Sequence, residues 1–570
     1  MNAHGLDKIG AALGLLALAL LAGWPLLSGG YPQGHDWIYE LARAAEYRNA
    51  LGDGQVPPVW AAYTNGGYGA PTFLYYAPLY SGLTALLAAV LGNVTHAATA
   101  ALALLFLAAA LTARRAARAL VGEATAAARA AAWLAALLYV LHPYVIGDAL
   151  LRNASAEFAA LALAPLALEG ALTAPTRPLR GALLLAAGIA AVTLAHNLTA
   201  LAVLSLALGL GAAAVAIPQR GADRRQGLLA LGGGTLLGLA LAAWFWVPAL
   251  AYKGHLDLQR LASDKLDFHN NFQSFSALLW GEEFFAAGWL SALVAAAALG
   301  LRAAGKLAPG WLRSMLGVLL AGAAALLWLA TPTSAVVWEN LTMIELFQFP
   351  WRFVGPMALL LALAAAAALA LWGHDRPEKQ IRMAMAVFFL LALISAARPW
   401  HESQPLPAGA AQRLEGALAP AFLRTGQIAV EFRDEYVVRG ADPQAWRRDR
   451  PQPGRDPLLL SGAPVQVRGV SGSGVDTQMD LRVEALTQAL LARYAFDGWQ
   501  LSLDAQPLAW QASKGGLLQV ELPAGDHQLR LQYQPPPLRS AMLGLSAVAL
   551  ALWLLLGLAL LRQRSGRGAP

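Results

Sequence analysis

The sequence predicts a polytopic α-helical membrane protein of about twelve spans, with a β-rich domain placed just before the last span. Three observations carry this expectation. Hydrophobic residues make up 58% of the chain and charged residues only 13%, whereas a soluble protein carries about a quarter charged residues. Apolar runs recur at the length a bilayer requires, about 20 residues. Residues 398–539 break this pattern and alternate polar with apolar positions between turn signals.

The apolar runs are 9–28, 97–113, 125–147, 157–174, 181–196, 198–217, 227–247, 284–301, 312–330, 353–372, 382–397 and 540–561. The first exceeds the 7–15 apolar residues usual for a signal peptide, and its one nearby cation is Lys8, so it reads as an uncleaved anchor. Basic clusters set the orientation. Arg114, Arg115 and Arg118; Arg177 and Arg180; Arg220, Arg224 and Arg225; Arg302, Lys306 and Arg313; Arg376, Lys379 and Arg382; and Arg562, Arg564 and Arg567 are all expected to be cytoplasmic. They alternate correctly only if 72–92, which has Pro71 and Pro78 at its start, dips in without crossing. Segments 29–96, 148–156, 248–283, 331–352 and 398–539 then lie outside.

Within 398–539, Asp497-Gly498-Trp499 precedes the alternating Gln500-Leu501-Ser502-Leu503. Leu517 to Leu522, a Pro523-Ala524-Gly525-Asp526 turn, and His527 to Tyr533 follow. This is the pattern of half-buried antiparallel strands and predicts a small β-sandwich. Residues 440–456, rich in Arg, Asp and Pro, read as a linker, and Pro535-Pro536-Pro537 separates the sandwich from the last span. The expected domains are therefore 1–397, 398–539 and 540–570.

The net charge of +7 is spread through short loops, which reads as topology and excludes a nucleic-acid stripe. The chain has no cysteine, which excludes disulfides and thiolate metal sites. Ionisable groups near membrane depth gather toward the outer ends of the spans: Asp36, Glu40, His142, Asp148, Arg152, Glu157, His196, Lys253, Glu345 and Arg352. Such groups are functional candidates, and their placement in one leaflet favours an outward-facing cavity over a path through the bilayer.

Each candidate also has a structural reading. Asp36, Glu40, Arg43 and Tyr47 fit the solvated face of an amphipathic interfacial helix. Arg152 and Glu157 fit a pair of loop charges, and His196-Asn197 fits a helix cap. Phe347 to Phe353 fits an aromatic belt with a snorkelling arginine. The aromatics Trp60, Tyr63, Tyr68, Phe73, Tyr75, Tyr76 and Tyr80 fit either interface anchors or a sugar platform.

Several motifs together resemble a known family. An acid after the first span, then Gln55-Val56-Pro57-Pro58-Val59-Trp60, Asn65-Gly66-Gly67-Tyr68-Gly69-Ala70-Pro71 and Tyr75-Tyr76-Ala77-Pro78-Leu79-Tyr80, resembles the start of GT-C superfamily glycosyltransferases. More narrowly, it is similar to YfhO-like bacterial membrane proteins, whose domain is labelled 6-pyruvoyl-tetrahydropterin-synthase-related. Leu141-His142-Pro143-Tyr144 leading to Arg152 and Glu157 resembles the second outer loop of lipid-linked sugar transferases. Gln348-Phe349-Pro350-Trp351-Arg352-Phe353 and Phe496-Asp497-Gly498-Trp499 resemble further YfhO-like elements.

The resemblance implies a GT-C-like fold and an inverting glycosyltransferase of a bacterial inner membrane. Its donor would be a polyprenyl-phosphate sugar and its acceptor a glycan, lipid or protein, with no nucleic acid involved. It implies Asp36 as general base. His35, Glu40, Arg152, Glu157, His196, Asn197, Tyr75, Tyr76, Gln348, Trp351 and Arg352 would form the substrate site. Many GT-C enzymes carry two adjacent acids at the first site, but here Asp36 stands between His35 and Trp37, which leaves the identity of the base and a divalent metal open, the metal without support in the sequence. A lipid-linked glycan flippase and a non-catalytic scaffold displaying the sandwich are the other function classes open to this sequence.

Overall fold

The computed structural model describes residues 3–219, 221–256, 266–281, 286–303, 310–407, 409–417, 438–441 and 465–566. Most of the expected linker at 440–456, and Arg220, Lys306 and Arg567, lie outside the described residues. Eight helices are long and apolar enough to cross a membrane, or ten if two sharply bent pairs each count as one span. The bent pairs are Ala126–Val140 with Pro143–Arg152, at 46°, and Arg224–Leu241 with Ala243–Ala251, at 74°. The chain is therefore a multi-pass membrane protein.

These ten match ten of the twelve expected runs. The two others differ for local reasons. Run 9–28 divides at Gly23 into helices Ala3–Ala22 and Trp24–Gly29, with Pro25 at the start of the second. Run 284–301 yields the helix Trp289–Ala303 among the described residues, 15 residues or about 22 Å at 1.5 Å per residue, against a hydrocarbon core of about 30 Å. The helix expected over 72–92 begins as Thr72–Tyr75, is broken before Pro78, and continues as Leu79–Leu91, 13 residues that end on left-handed Gly92. It too is shorter than a span. Helix Glu378–Glu402 runs past the domain boundary expected at 397.

Loops expected on one side do meet. Three consecutive backbone amides of the first loop bond to the turn at 151–153: Gly34 N to Asn153 Oδ1 at 2.7 Å, His35 N to the Leu151 carbonyl and Asp36 N to the Arg152 carbonyl, both at 2.9 Å. Gly34 is glycine for a steric reason, since a Cβ there would run into Asn153 and the Leu151 carbonyl. Asn197 Nδ2 donates to the Tyr75 carbonyl at 3.0 Å, and the Tyr75 hydroxyl donates to the Tyr252 carbonyl at 2.8 Å. At the opposite end, Arg115 and Arg180 both reach Glu169, at 2.8 and 3.5 Å.

Single cysteines test this sidedness in a cysteine-free background. His96, Asn340 and Ala485 are exposed on the first side and Asp375 on the other. Cysteine at the first three is expected to react with a membrane-impermeant thiol reagent on intact spheroplasts, and cysteine at 375 only after lysis. Labelling of 375 in intact cells, or protection of 96, would break the assignment.

The helix Trp37–Gly52 corrects one expectation. Its Glu40, Arg43 and Tyr47 face is buried, not solvated. Arg43 bonds Glu40 at 2.8 Å and lies 4.0 Å from the centroid of the Tyr76 ring, and Tyr47 meets Phe73 edge-on at 4.9 Å. A polar stripe at helical spacing marks one face but does not say whether that face meets water or other polar groups.

On the same helix, Glu46 is buried, and among the described residues no cation pairs with it. Its Oε2 accepts from the Tyr63 amide at 3.3 Å, and its Oε1 finds no donor among the described residues. Burial pushes its carboxyl up to about 8, partly offset by the Tyr63 amide and reinforced by nearby Asp53. The folded state therefore holds a proton that the unfolded chain releases near the ordinary glutamate value. Stability is full below that value and falls as pH rises toward 8. Glu46→Gln is expected to flatten this decline, so that wild type melts lower at pH 8 than at pH 5 and the variant does not.

The C-terminal region forms two antiparallel sheets. One has the order β1 (Val465–Gly472), β2 (Asp476–Val483), β8 (Gly525–Tyr533), β4 (Trp499–Leu503), β5 (Gln506–Leu508); the other is β3 (Thr487–Tyr494), β7 (Leu517–Leu522), β6 (Gln511–Ala512). Alternation explains the burial: Met479, Leu481 and Val483 on β2 and Leu529, Leu531 and Tyr533 on β8 turn inward. The Pro523 to Asp526 turn is not a hairpin, because β7 and β8 belong to different sheets.

The sheets dock on the aromatic loop. Trp60 is fully buried, with ring contacts to Tyr533 at 5.1 Å, Trp499 at 5.4 Å and Phe496 at 6.0 Å. Tyr68 meets Tyr494 edge-on at 5.6 Å, and Arg493 bonds the Gly67 carbonyl. Trp60 and Tyr68 are thus neither lipid anchors nor a sugar platform but the core of the joint between loop and sheets.

Candidate active site

The turn after Pro143 organises the candidate site. His142 caps it, its Nδ1 accepting from the Tyr144 amide at 3.2 Å, while its Nε2 meets Ser291 Oγ at 2.9 Å. The chain then makes a π-helical turn over Asp148–Arg152 and closes on Asn153 in the left-handed region at φ 55°. Isolated π turns concentrate at functional sites. Here the wider turn presents Arg152 to two acids at once, Asp148 at 2.9 Å and Glu157 at 2.7 Å.

Glu157 sits in the first turn of helix Ser155–Thr173 and is 2% exposed. Its carboxylate gathers three partners: Arg152 Nη1, the Tyr144 hydroxyl at 2.8 Å, and Arg352, whose Nε stands in ion-pair range at 3.1 Å. Arg352 arrives from the other half of the chain, on the short turn Pro350–Phe353 that begins the helix Val354–Trp372. Its Nη1 donates to the Phe347 carbonyl at 2.8 Å and its guanidinium lies 4.8 Å from the centroid of the Phe349 ring. Gln348, at φ 62°, holds the loop in a conformation that L residues seldom adopt.

One buried carboxylate thus clamps two guanidiniums drawn from distant segments. Arg152 and Glu157 do pair, but as buried groups and not as loop charges. Two polar atoms at the centre are buried without a well-directed hydrogen bond among the described residues: Asp148 Oδ2, and Arg352 Nε, whose N–H is not aimed at the Glu157 oxygen beside it. Such orphaned atoms are uncommon in folded proteins and cluster where a ligand or catalytic step completes them.

The remaining sequence candidates stand around this clamp. Asp36 begins the helix Trp37–Gly52 and is partly exposed. Its amide bonds the Arg152 carbonyl, so it is one arginine side chain away from Glu157. His35 is exposed beside it. His196 caps helix Asn197–Ala216, its Nδ1 meeting Thr199 Oγ1 at 2.8 Å, and it lies within electrostatic reach of Glu157.

The aromatics are more enclosed than a sugar platform would be. Trp351 is buried, with the Arg152 guanidinium 4.8 Å from its ring centroid and Phe349 stacked at 5.0 Å. Tyr75 is buried. Tyr76 is covered by Arg43 and donates to Glu40 at 2.6 Å. Glu40 therefore belongs to a second polar set with Arg43 and Tyr76.

Sequence reasoning counted Asp148 among the functional candidates but left it, with Tyr144, Phe349 and Arg43, out of the substrate site. The i, i+4 spacing of Asp148 and Arg152 was the available signal for the first. Among the described residues, no three His, Asp or Glu side chains converge in a way that would hold a metal ion, and Glu40 already has Arg43 and Tyr76 on its carboxylate.

No protein-family model and no curated protein matches the chain. Solved structures to which it is similar include membrane glycosyltransferases. Arabinofuranosyltransferase AftD from Mycobacteria superposes with a TM-score of 0.43 and 23% identity, over 70% of this chain and 27% of that one. The Archaeoglobus fulgidus oligosaccharyltransferase tethered with an acceptor peptide gives 0.43 and 14%, over 70% and 56%. Arabinosyltransferase EmbB from Mycobacterium smegmatis gives 0.36 and 14%, over 92% and 64%. The chain thus spans about a quarter of AftD and less than two thirds of the other two.

Proposed function

We propose that the protein is an inverting GT-C-type glycosyltransferase of a bacterial inner membrane. It moves a sugar from a polyprenyl-phosphate donor to a glycan, lipid or protein acceptor on the periplasmic side. The observation that carries this reading is the Arg152, Glu157, Arg352 clamp: two guanidiniums fixed at one membrane end, one side chain away from a partly exposed carboxylate.

In this reading the donor phosphate binds Arg352 and Arg152, whose planar forks match phosphate oxygens. Glu157 and Trp351 position the two arginines. Asp36 takes the proton from the acceptor hydroxyl. The freed oxygen attacks the anomeric carbon from the face opposite the phosphate, the carbon–oxygen bond to phosphate breaks, and polyprenyl phosphate leaves with the electron pair. The arginines stabilise the charge that grows on the leaving oxygen. His35, His196, Asn197, Gln348, Glu40, Tyr75 and Tyr76 line or support the space around the sugar. The sheets, docked on the same loop, are placed to meet the acceptor.

Arg352→Lys keeps the charge but loses the fork, so donor affinity is expected to fall by about 1–3 kcal/mol, read by titrating a polyprenyl-phosphate sugar onto the purified protein. Unaltered donor binding would make Arg352 an interfacial anchor. The function as a whole is tested by mass spectrometry of the lipids and surface glycans from cells with and without the gene. A sugar missing from a glycan, with its lipid-linked precursor accumulating, is the expected result. Loss of the precursor's translocation with transfer intact in lysed cells would favour a flippase.

A further inference from the structure

A second cavity runs from the clamp's end of the helices toward the opposite end. Helices Trp289–Ala303, Trp311–Leu329 and Val354–Trp372 enclose a groove of about 1290 Å³. Its walls are apolar, with Leu299, Val318, Ala321, Leu327, Met357 and Leu361 among them. From Ser314 to Trp328 it follows 14 residues of one helix, about 21 Å at 1.5 Å per residue. That is longer than one leaflet's half of the roughly 30 Å hydrocarbon core, and it suits a single extended alkyl chain.

The two ends differ in chemistry. Near the clamp the groove ends in hydroxyls, those of Ser274, Thr331 and Thr333. At the far end it meets Arg302, the one charged side chain in its lining among the described residues. The Arg302 guanidinium is held in place. Its Nη1 donates to the Arg313 carbonyl at 2.5 Å, and its plane lies against Gly317, where a Cβ would stand 2.8 Å from the guanidinium carbon. No described carboxylate comes within ion-pair distance of it.

We propose that this groove binds one anionic glycerophospholipid, drawn from the leaflet opposite the clamp, with its phosphate on Arg302 and an acyl chain laid along the groove. Charge decides the orientation. A lipid entering from the hydroxyl end, as the polyprenyl donor would, brings only its hydrocarbon tail to the partly exposed Arg302 guanidinium and supplies no counter-charge. A phosphate on Arg302 supplies that charge and accepts the N–H groups not used on Arg313. The binding does not depend on glycosyl transfer.

The test uses the full chain in nanodiscs of phosphatidylcholine doped with phosphatidylglycerol, released and weighed by native mass spectrometry. Wild type is expected to retain one phosphatidylglycerol in preference to phosphatidylcholine. Arg302→Gln should weaken retention roughly tenfold or more, since it removes a charge-assisted contact, while Arg302→Lys keeps most of it. Should Arg302→Gln fail to fold, competition on wild type alone decides. Equal retention of the two phospholipids, or displacement of phosphatidylglycerol by polyprenyl monophosphate at equal concentration, would overturn the proposal. Preference for phosphatidylglycerol over both would support it.

Discussion

Glu157→Ala is expected to lower the stability of the purified protein by about 3–5 kcal/mol, the usual cost of removing one partner from a buried ion pair. The reason is particular to this site. Glu157 holds Arg152, Arg352 and the Tyr144 hydroxyl together, and without it Arg152 keeps its pair with Asp148 while Arg352 loses the ion pair it makes among the described residues. Glu157→Gln keeps the shape and one acceptor but not the charge, and should lie between wild type and alanine. Thermal unfolding in detergent, followed by tryptophan fluorescence, reads the order. If Glu157→Ala melts with wild type, the two arginines have other counter-charges and the clamp is not the centre of the site.

Asp36→Asn is the second large effect. Asparagine keeps the size and one acceptor oxygen but cannot take a proton, so turnover should fall by roughly 10²–10⁴-fold. Folding should change little, because asparagine keeps the size of the side chain and the backbone bond from this amide to the Arg152 carbonyl. Donor binding should be unchanged, which separates this variant from Arg352→Lys. Near-normal turnover with a synthetic polyprenyl-phosphate sugar and an acceptor would remove Asp36 from the mechanism.

Much of the architecture is legible in the sequence because a bilayer imposes length. Ten of twelve expected runs appear as long apolar helices or bent pairs at nearly the expected positions, and the other two give the helices Ala3–Ala22 and Trp289–Ala303 among the described residues. The charged candidates are legible for a related reason: a carboxylate or guanidinium at membrane depth needs a partner, so Arg152, Glu157 and Arg352 stand out by position alone.

What the sequence does not reveal is which partner each one takes. The π turn at Asp148–Arg152 depends on contacts across the fold, not on local propensity. The bonds from Gly34, His35 and Asp36 to residues 151–153 join segments more than a hundred residues apart. Helical spacing at Glu40, Arg43 and Tyr47 fits a wet face and a buried polar face equally well. Trp60 reads as an anchor until the sheets that cover it are folded.

The 74° break at Ala242 has a consequence for how the chain is made. Bending there frees the Ala240 carbonyl and the Trp244 amide, and a single hydroxyl, Ser546 on the last helix, answers both at 2.8 and 3.1 Å. Ser546 lies 302 residues after Trp244. At about 5–20 residues per second, the ribosome reaches it roughly 15–60 s after the break has entered the membrane. Throughout that interval the break must borrow lipid headgroups, water or a chaperone. The helix Pro537–Gly566, which otherwise shows most of its surface to lipid, acts as a late latch on the break, and Ser546→Ala should lengthen the protein's residence with the insertion machinery more than it alters the folded molecule.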